Sequence, residues 1–354
     1  MTAFTPLYKW YNKHKRDLPW RHTNDPYLIW LSEVILQQTR VEQGLPYYLE
    51  FSQTFTTISQ LAKAPEKKVM KMWQGLGYYS RATNMRHTAK LILSHYQGKF
   101  PSDYNSLIQL KGIGPYTAAA VSSFAANEAH AVVDGNVYRV LSRLFEIEEP
   151  INSQQGKKLF SEIATDILDK TNPALHNQAM MELGAMICKP QKPDCLECPL
   201  NLHCRACKSG RQSQFPVKVQ KKKSISRFLN FIVVDTGKLT LLQKRSGKGI
   251  WQNLYEPPCI ETKEIISNRL PQESIESLDV FRNINNLLFK RIFECKHQLT
   301  HQNIHAVFWV VHCKTSDIKD KNHYIKASWQ NINQFAVHRL FDKFLKYYTL
   351  HHAS

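Results

Sequence analysis

Four cysteines stand close together in the chain: Cys188, Cys195, Cys198 and Cys204, spaced C-x6-C-x2-C-x5-C in a segment rich in Pro and Lys. Thiols this crowded repel one another once ionised, so in a reduced protein they need a positive centre to hold them as thiolates. Zinc with four cysteine ligands meets that need, and so does a 4Fe–4S cluster; the thiols alone leave both open. Cys207 falls outside the pattern and reads as a free thiol. Two carboxyls carry a different chemistry. Glu33 is surrounded in sequence by Ile29, Trp30, Leu31, Val34, Ile35 and Leu36. A carboxyl among apolar neighbours keeps its proton towards neutral pH, whereas on the wet face of a helix it would be an ordinary carboxylate. Asp134 closes the apolar run Ala131–Val133 and precedes a predicted helix from Asn136, where it can act as the cap. There the helix dipole favours its ionised form. A proton donor and a carboxylate are the pair that glycosidic cleavage uses.

These residues need a scaffold. Residues 1–205 carry helical periodicity, with amphipathic runs at 26–38, 65–75, 78–96, 116–126, 136–146, 155–169 and 173–188. Asp25-Pro26 and Asn172-Pro173 read as helix starts. Between two of the runs, Leu110–Thr117 reads LKGIGPYT, and Gly112 and Gly114 permit a tight turn directly before a helix N-terminus. Backbone N–H groups there can hold an anion without side-chain charge, although a plain helix connection would look similar. Residues 208–227 are polar, basic and Pro-containing, as in a linker. Beyond them come β-rich runs at Phe228–Val234, Leu239–Lys244, Ile292–Gln298 and His305–His312, then an amphipathic helix over Val337–Tyr348. The expected fold is therefore multidomain: an all-α domain (1–207), a basic linker (208–227) and an α+β domain (228–354).

The chain of 354 residues has 43% apolar residues and a formal net charge of +18. That excess points to a polyanionic partner such as DNA or RNA, because each cation set against a phosphate releases a counterion. Met1–Lys15 lacks the apolar run of a signal peptide and no stretch of 18 apolar residues occurs, so the expected location is the cytosol, with no membrane partner.

Five segments, SEVILQQTRVEQGLPYY, WQGLGYYSRATN, LKGIGPYTAAA, VVDGNVYRVLSR and NQAMMELGAMIC, closely resemble MutY-type adenine DNA glycosylases of the endonuclease III, helix–hairpin–helix superfamily. The likeness runs from about Trp10 to Cys204, and the cysteine spacing resembles the superfamily's 4Fe–4S loop, which implies one such cluster per chain. The resemblance implies a base-excision repair hydrolase acting on adenine opposite 8-oxoguanine or guanine in double-stranded DNA. Glu33 would protonate the base at N7 and Asp134 would stabilise the oxocarbenium-like sugar. Tyr116 would lie against that centre and Asn136 would orient the groups. Arg21, Trp20 and Gln178 would line the pocket for the flipped adenine, while Gln38 and Tyr78 would wedge into the duplex. Lyases of the superfamily carry Lys where Tyr116 stands, so no imine step is expected. The protein is expected to be a monomer, associated with the nucleoid if bacterial.

The second domain, with GIWQNLYEPP at 249–258, resembles the Nudix-like domain that follows the catalytic domain in the same family. The stretch after Pro258 lacks the clustered acids of a working Nudix hydrolase, which implies recognition of 8-oxoguanine without nucleotide hydrolysis. The family's recognition loop reads Phe-Ser-His, and Leu299, Thr300 and His301 match it here. Thr keeps a hydroxyl for the oxidised base, whereas Leu replaces the aromatic wedge.

Overall fold

The computed structural model describes residues 3–219, 224–247, 249–282, 285, 287–319 and 323–352, so residues 220–223 of the expected linker lie outside the described residues. By its own contacts the chain forms two compact units, 1–63 with 84–220 and 64–83 with 221–354. The helices in chain order are α1 (Thr5–His14), α2 (Pro26–Leu36), α3 (Val41–Thr54), α4 (Ile58–Lys63), α5 (Glu66–Met72), α6 (Ser80–His95) and α7 (Tyr104–Ile108). They continue as α8 (Pro115–Ala126), α9 (Gly135–Phe145), α10 (Gln154–Asp166), α11 (Pro173–Met186), α12 (Arg205–Lys208), α13 (Gln272–Glu276) and α14 (Arg339–His352).

In the first unit α2 is apolar on every side, so it is driven into the interior, where it packs against α3 and α8. Asp25 caps it by accepting the Tyr27 N–H at 2.8 Å, and Pro26 occupies the first helical position. α9 shows the opposite pattern: Val137, Val140, Leu141 and Leu144 form one buried stripe that joins a core with Leu7 and Phe160. α11 lies against α9 at very close range, since a Cβ on Gly184 would fall 2.6 Å from the Asn136 Cβ. Only glycine admits that approach.

Among the described residues the second unit holds seven strands: β1 (Ile225–Asp235), β2 (Leu239–Lys244), β3 (Tyr255–Glu256), β4 (Cys259–Thr262), β5 (Phe289–Gln298), β6 (Gln302–His312) and β7 (Tyr324–Ser328). One sheet has the order β4-β1-β6-β5, with β1 and β6 parallel in the register Phe231↔Phe308; the other runs β3-β2-β7. α14 seals the first sheet through Phe344, which stacks on Phe308 at 4.6 Å between centroids. Leu299, Thr300 and His301 form the tip between β5 and β6, closed by the Leu299 N–H donating to the Gln302 carbonyl at 2.8 Å.

Part of the segment read from composition as linker is seated on the first unit. Phe215 is buried, and Arg143 Nε donates to the carbonyls of Gln212 and Phe215 at 3.0 and 3.2 Å. The Ile151 N–H reaches the Val217 carbonyl at 3.1 Å, and residues 225–227 already belong to β1. One aromatic anchor among polar residues does this, and average composition hides it. Among the described residues no helix is long and apolar enough to cross a membrane.

Candidate active site

Burial decides the state of Glu33. Because α2 is enclosed, the residue is 8% exposed, and its carboxyl pKa is pushed up from 4.5 to about 7 by desolvation. The Tyr116 hydroxyl, from the first turn of α8, donates to Glu33 Oε2 at 2.8 Å and works in the opposite direction. The charge of Asp134 adds to the rise, so the two carboxyls feel each other.

Asp134 caps α9 as its sequence position predicts. Its Oδ1 accepts the N–H groups of Asn136 and Val137 at 2.9 and 2.7 Å, and its Oδ2 accepts Asn136 Nδ2 at 2.7 Å. The expectation that capping leaves it readily ionised needs correction: burial is the larger influence and raises its pKa, while the three hydrogen bonds pull it back down. Behind Asn136 stands Arg139, which the sequence reading did not single out. Its Nη2 donates to Asn136 Oδ1 at 2.8 Å and its Nε to the Cys188 carbonyl at 2.6 Å. Its place three residues along α9 from Asn136, on the same face, was the available signal.

The hairpin before α8 has Gly112 at φ +83°, and a Cβ there would sit 2.9 Å from that of Asn84. Gly114 is the extended N-cap residue, and the Thr88 hydroxyl donates to the Lys111 carbonyl behind the turn. Arg21 and Gln178 are both tied in. The Tyr11 hydroxyl donates to Gln178 Oε1, and Arg21 forks onto Glu182 at 2.6 and 3.1 Å. Glu182 also takes the backbone N–H, Nε and Nη2 of Arg16 at 2.8–2.9 Å, and these partners hold its pKa down at about 2 although burial opposes them. Glu182 was likewise missed; it lies one turn from Gln178 on α11. Trp20 meets Tyr48 edge to face. Gln38 is exposed, with left-handed backbone at φ +57°.

In the second unit Tyr78 also has left-handed backbone, at φ +47°, and presents an exposed ring. Its hydroxyl lies 3.0 Å from Thr300 Oγ1 at the β5–β6 tip. Leu299 is half-buried, while Thr300 and His301 are exposed.

Residues 31–165 match the family model of the HhH-GPD superfamily of base excision DNA repair proteins, and residues 230–347 match a NUDIX domain. An adenine DNA glycosylase of Buchnera aphidicola subsp. Baizongia pistaciae is 32% identical over 340 residues, which cover 94% of this chain and 92% of that protein. The chain belongs to the adenine DNA glycosylase family. A family member from Arabidopsis thaliana is 36% identical over 73% of this chain and 47% of its own length. Among solved structures, a thermostable thymine-DNA glycosylase aligns with a TM-score of 0.54 at 29% identity, covering 58% of this chain and 94% of that one. A trapped endonuclease III–DNA covalent intermediate aligns with a TM-score of 0.51 at 22% identity, covering 59% and 95%, which speaks to the shared helical fold.

Cys188, Cys195, Cys198 and Cys204 line one small cavity, with Arg143 and Gln212 on its wall. Arg143 Nη1 donates to Cys188 Sγ at 3.3 Å, and Gln212 Nε2 approaches Cys195 Sγ at 3.9 Å. Burial first, then the neighbouring thiols, push the pKa of Cys195 to about 11 and of Cys198 to about 12. Such a donor set ionises at neutral pH only around a cationic group. Among the described residues no three His, Cys, Asp or Glu side chains converge tightly enough for a single ion.

Proposed function

We propose that this chain is a monofunctional adenine DNA glycosylase that hydrolyses the N-glycosidic bond of adenine paired with 8-oxoguanine or guanine in duplex DNA. The observation that carries the reading is the pair of carboxyls: buried Glu33 with a pKa near 7, and half-buried Asp134 under three hydrogen bonds at the head of α9. Adenine cannot react inside the stack and must be extruded. Glu33 then gives its proton to N7, which turns the base into a better leaving group. Asp134, as the carboxylate, faces the sugar as positive charge develops there. Asn136 holds Asp134 in place, and Tyr116 fills the position where lyases of the superfamily carry an amine. Without that amine no imine forms, and water completes the reaction.

Arg21, Trp20 and Gln178 line the adenine pocket in this reading, and the Gly112–Gly114 hairpin takes a backbone phosphate. Gln38 and Tyr78 enter the duplex, a role that suits two exposed side chains on left-handed backbone. Thr300 and His301 read the oxidised guanine, with Leu299 beside them. The enzyme acts as a monomer on chromosomal DNA in the cytoplasm.

Cys188, Cys195, Cys198 and Cys204 hold one 4Fe–4S cluster. The spacing C-x6-C-x2-C-x5-C, which resembles the superfamily's cluster loop, supports this group over zinc. Bound there, the cluster supplies metal–sulfur bonds that cross-link residues 188–204.

The test is incubation with duplexes containing adenine opposite 8-oxoguanine and opposite guanine. Alkali-labile abasic sites should appear, and borohydride should trap no protein–DNA adduct. Absence of base release, or a trapped imine, would overturn the reading.

A further inference from the structure

The sequence sets Cys207 apart from the other four thiols, but the fold does not. Cys207 lines the same cavity as Cys188, Cys195, Cys198 and Cys204. It lies on the four-residue α12, whose N-cap residue is Cys204. After burial itself, Cys207 is the neighbouring group that acts most on Cys195 and raises its pKa. The chain therefore places five sulfurs around a site that takes four. The surplus sulfur acts on both Cys195 and Cys204.

We infer that Cys207 is a reserve ligand of this centre, able to take the position of Cys195 when that sulfur is lost or blocked. The inference rests on the proposal that the cysteine loop holds a 4Fe–4S cluster. The exchange is a ligand substitution with no change of oxidation state. The Cys207 thiol gives its proton to solvent and its sulfur enters the vacated iron position, while the other three ligands stay bound. Cys188 and Cys198 have no such substitute. Cys188 is anchored by Arg143 Nη1 and the Cys204 thiol by the Arg143 carbonyl, so Cys195 is the neighbour that Cys207 can replace.

The experiment compares full-length parent, C195A, C207A, C198A and the double variant C195A/C207A, all purified without oxygen. Iron, sulfide and zinc content, the visible absorbance of the cluster and electron paramagnetic resonance are the readouts. The parent and C207A should hold about four irons per chain. C195A should retain more than roughly half of the parent's iron, while C198A and the double variant fall below about a tenth. The resonance spectrum of C195A should differ from that of the parent, because one ligand has changed. A second measurement follows alkylation of Cys207 under native conditions: it should react in the parent and become protected in C195A. The proposal fails if C195A loses iron as completely as C198A, is recovered only insoluble as C198A is, or exchanges iron for zinc. It fails equally if C195A/C207A keeps as much iron as C195A. Zinc without iron in the parent would instead overturn the cluster assignment beneath it.

Discussion

Glu33→Gln separates the chemistry of this site from its energetics. Folding moves the Glu33 pKa from 4.5 to about 7, so between those values the folded chain binds more protons than the unfolded chain. Stability must then fall as pH rises through that window, because stability rises with pH only where the unfolded state holds more protons. The gap corresponds to about 3 kcal/mol of destabilisation above pH 7, absent below pH 4.5 where both states are neutral. Glutamine keeps the shape and can still accept from the Tyr116 hydroxyl, yet it has no proton to lose. Glu33→Gln should therefore abolish base release at every pH while stabilising the helical unit at pH 8–9. The expected rise in midpoint temperature there is up to roughly 6–12 °C, shrinking towards zero near pH 4.5. Paired thermal melts of parent and variant across that range, with single-turnover excision on the same samples, measure both effects. A variant equally or less stable than the parent at pH 9, or a stability difference that ignores pH, would refute the assignment of a buried, neutral acid. Excision within roughly tenfold of the parent would refute its catalytic role.

Glu182→Gln removes a buried charge that holds Arg16 and Arg21, and should cost about 3–5 kcal/mol in urea unfolding at pH 7. Because folding lowers the Glu182 pKa to about 2, its contribution is present above the ordinary carboxylate range and should fade as pH falls through about 2. Asn136→Ala takes one of three donors from Asp134, so the acid limb of the pH–rate profile should move up by about one pH unit; a lower plateau with an unmoved limb would contradict it. Thr300→Ala and Tyr78→Phe each break the same hydrogen bond, and each should reduce preference for 8-oxoguanine over guanine by roughly tenfold. The double variant should then be little worse than either single one, whereas additive losses would mean that the two hydroxyls act separately.

The helical unit was legible because its elements announce themselves: α9 has a one-sided apolar stripe, and α2 and α8 begin at Pro. α3 escaped because Gly44 and Pro46 interrupt it, and α1 because Leu7 and Tyr11 are its only buried residues. β7 escaped for a similar reason, with Lys326 inside a strand of five residues. In the site, local context raised Glu33 and Asp134 as candidates with an ordinary helix face or cap still open, and the family resemblance supplied their proposed roles and that of Tyr116. Glu182 and Arg139 did not, because their importance comes from partners far away in the chain. A charged residue on a helix looks alike whether it meets water or a buried arginine, and only the fold distinguishes the two.

The fold also decides which carboxyl keeps the proton. Glu33 is buried and Asp134 half-buried, desolvation raises both pKa values, and the Asp134 charge raises that of Glu33 further. Two such neighbouring carboxyls titrate as a pair rather than independently. Glu33 receives one hydroxyl donor, while Asp134 receives two backbone N–H groups and an amide, at the positive end of α9. The larger set of donors favours the anion on Asp134 and the proton on Glu33, as the proposed roles of the two groups require. That set is itself held from behind. Asn136 can aim its Nδ2 at Asp134 because Arg139 holds its Oδ1, and Arg139 is fixed by the Cys188 and Gly184 carbonyls. The close approach of α11 to α9 at Gly184 keeps those carbonyls in reach. The cysteine loop thus begins at a residue whose backbone supports the donors on Asp134, and loosening the loop should push Asp134 towards the neutral form that desolvation favours.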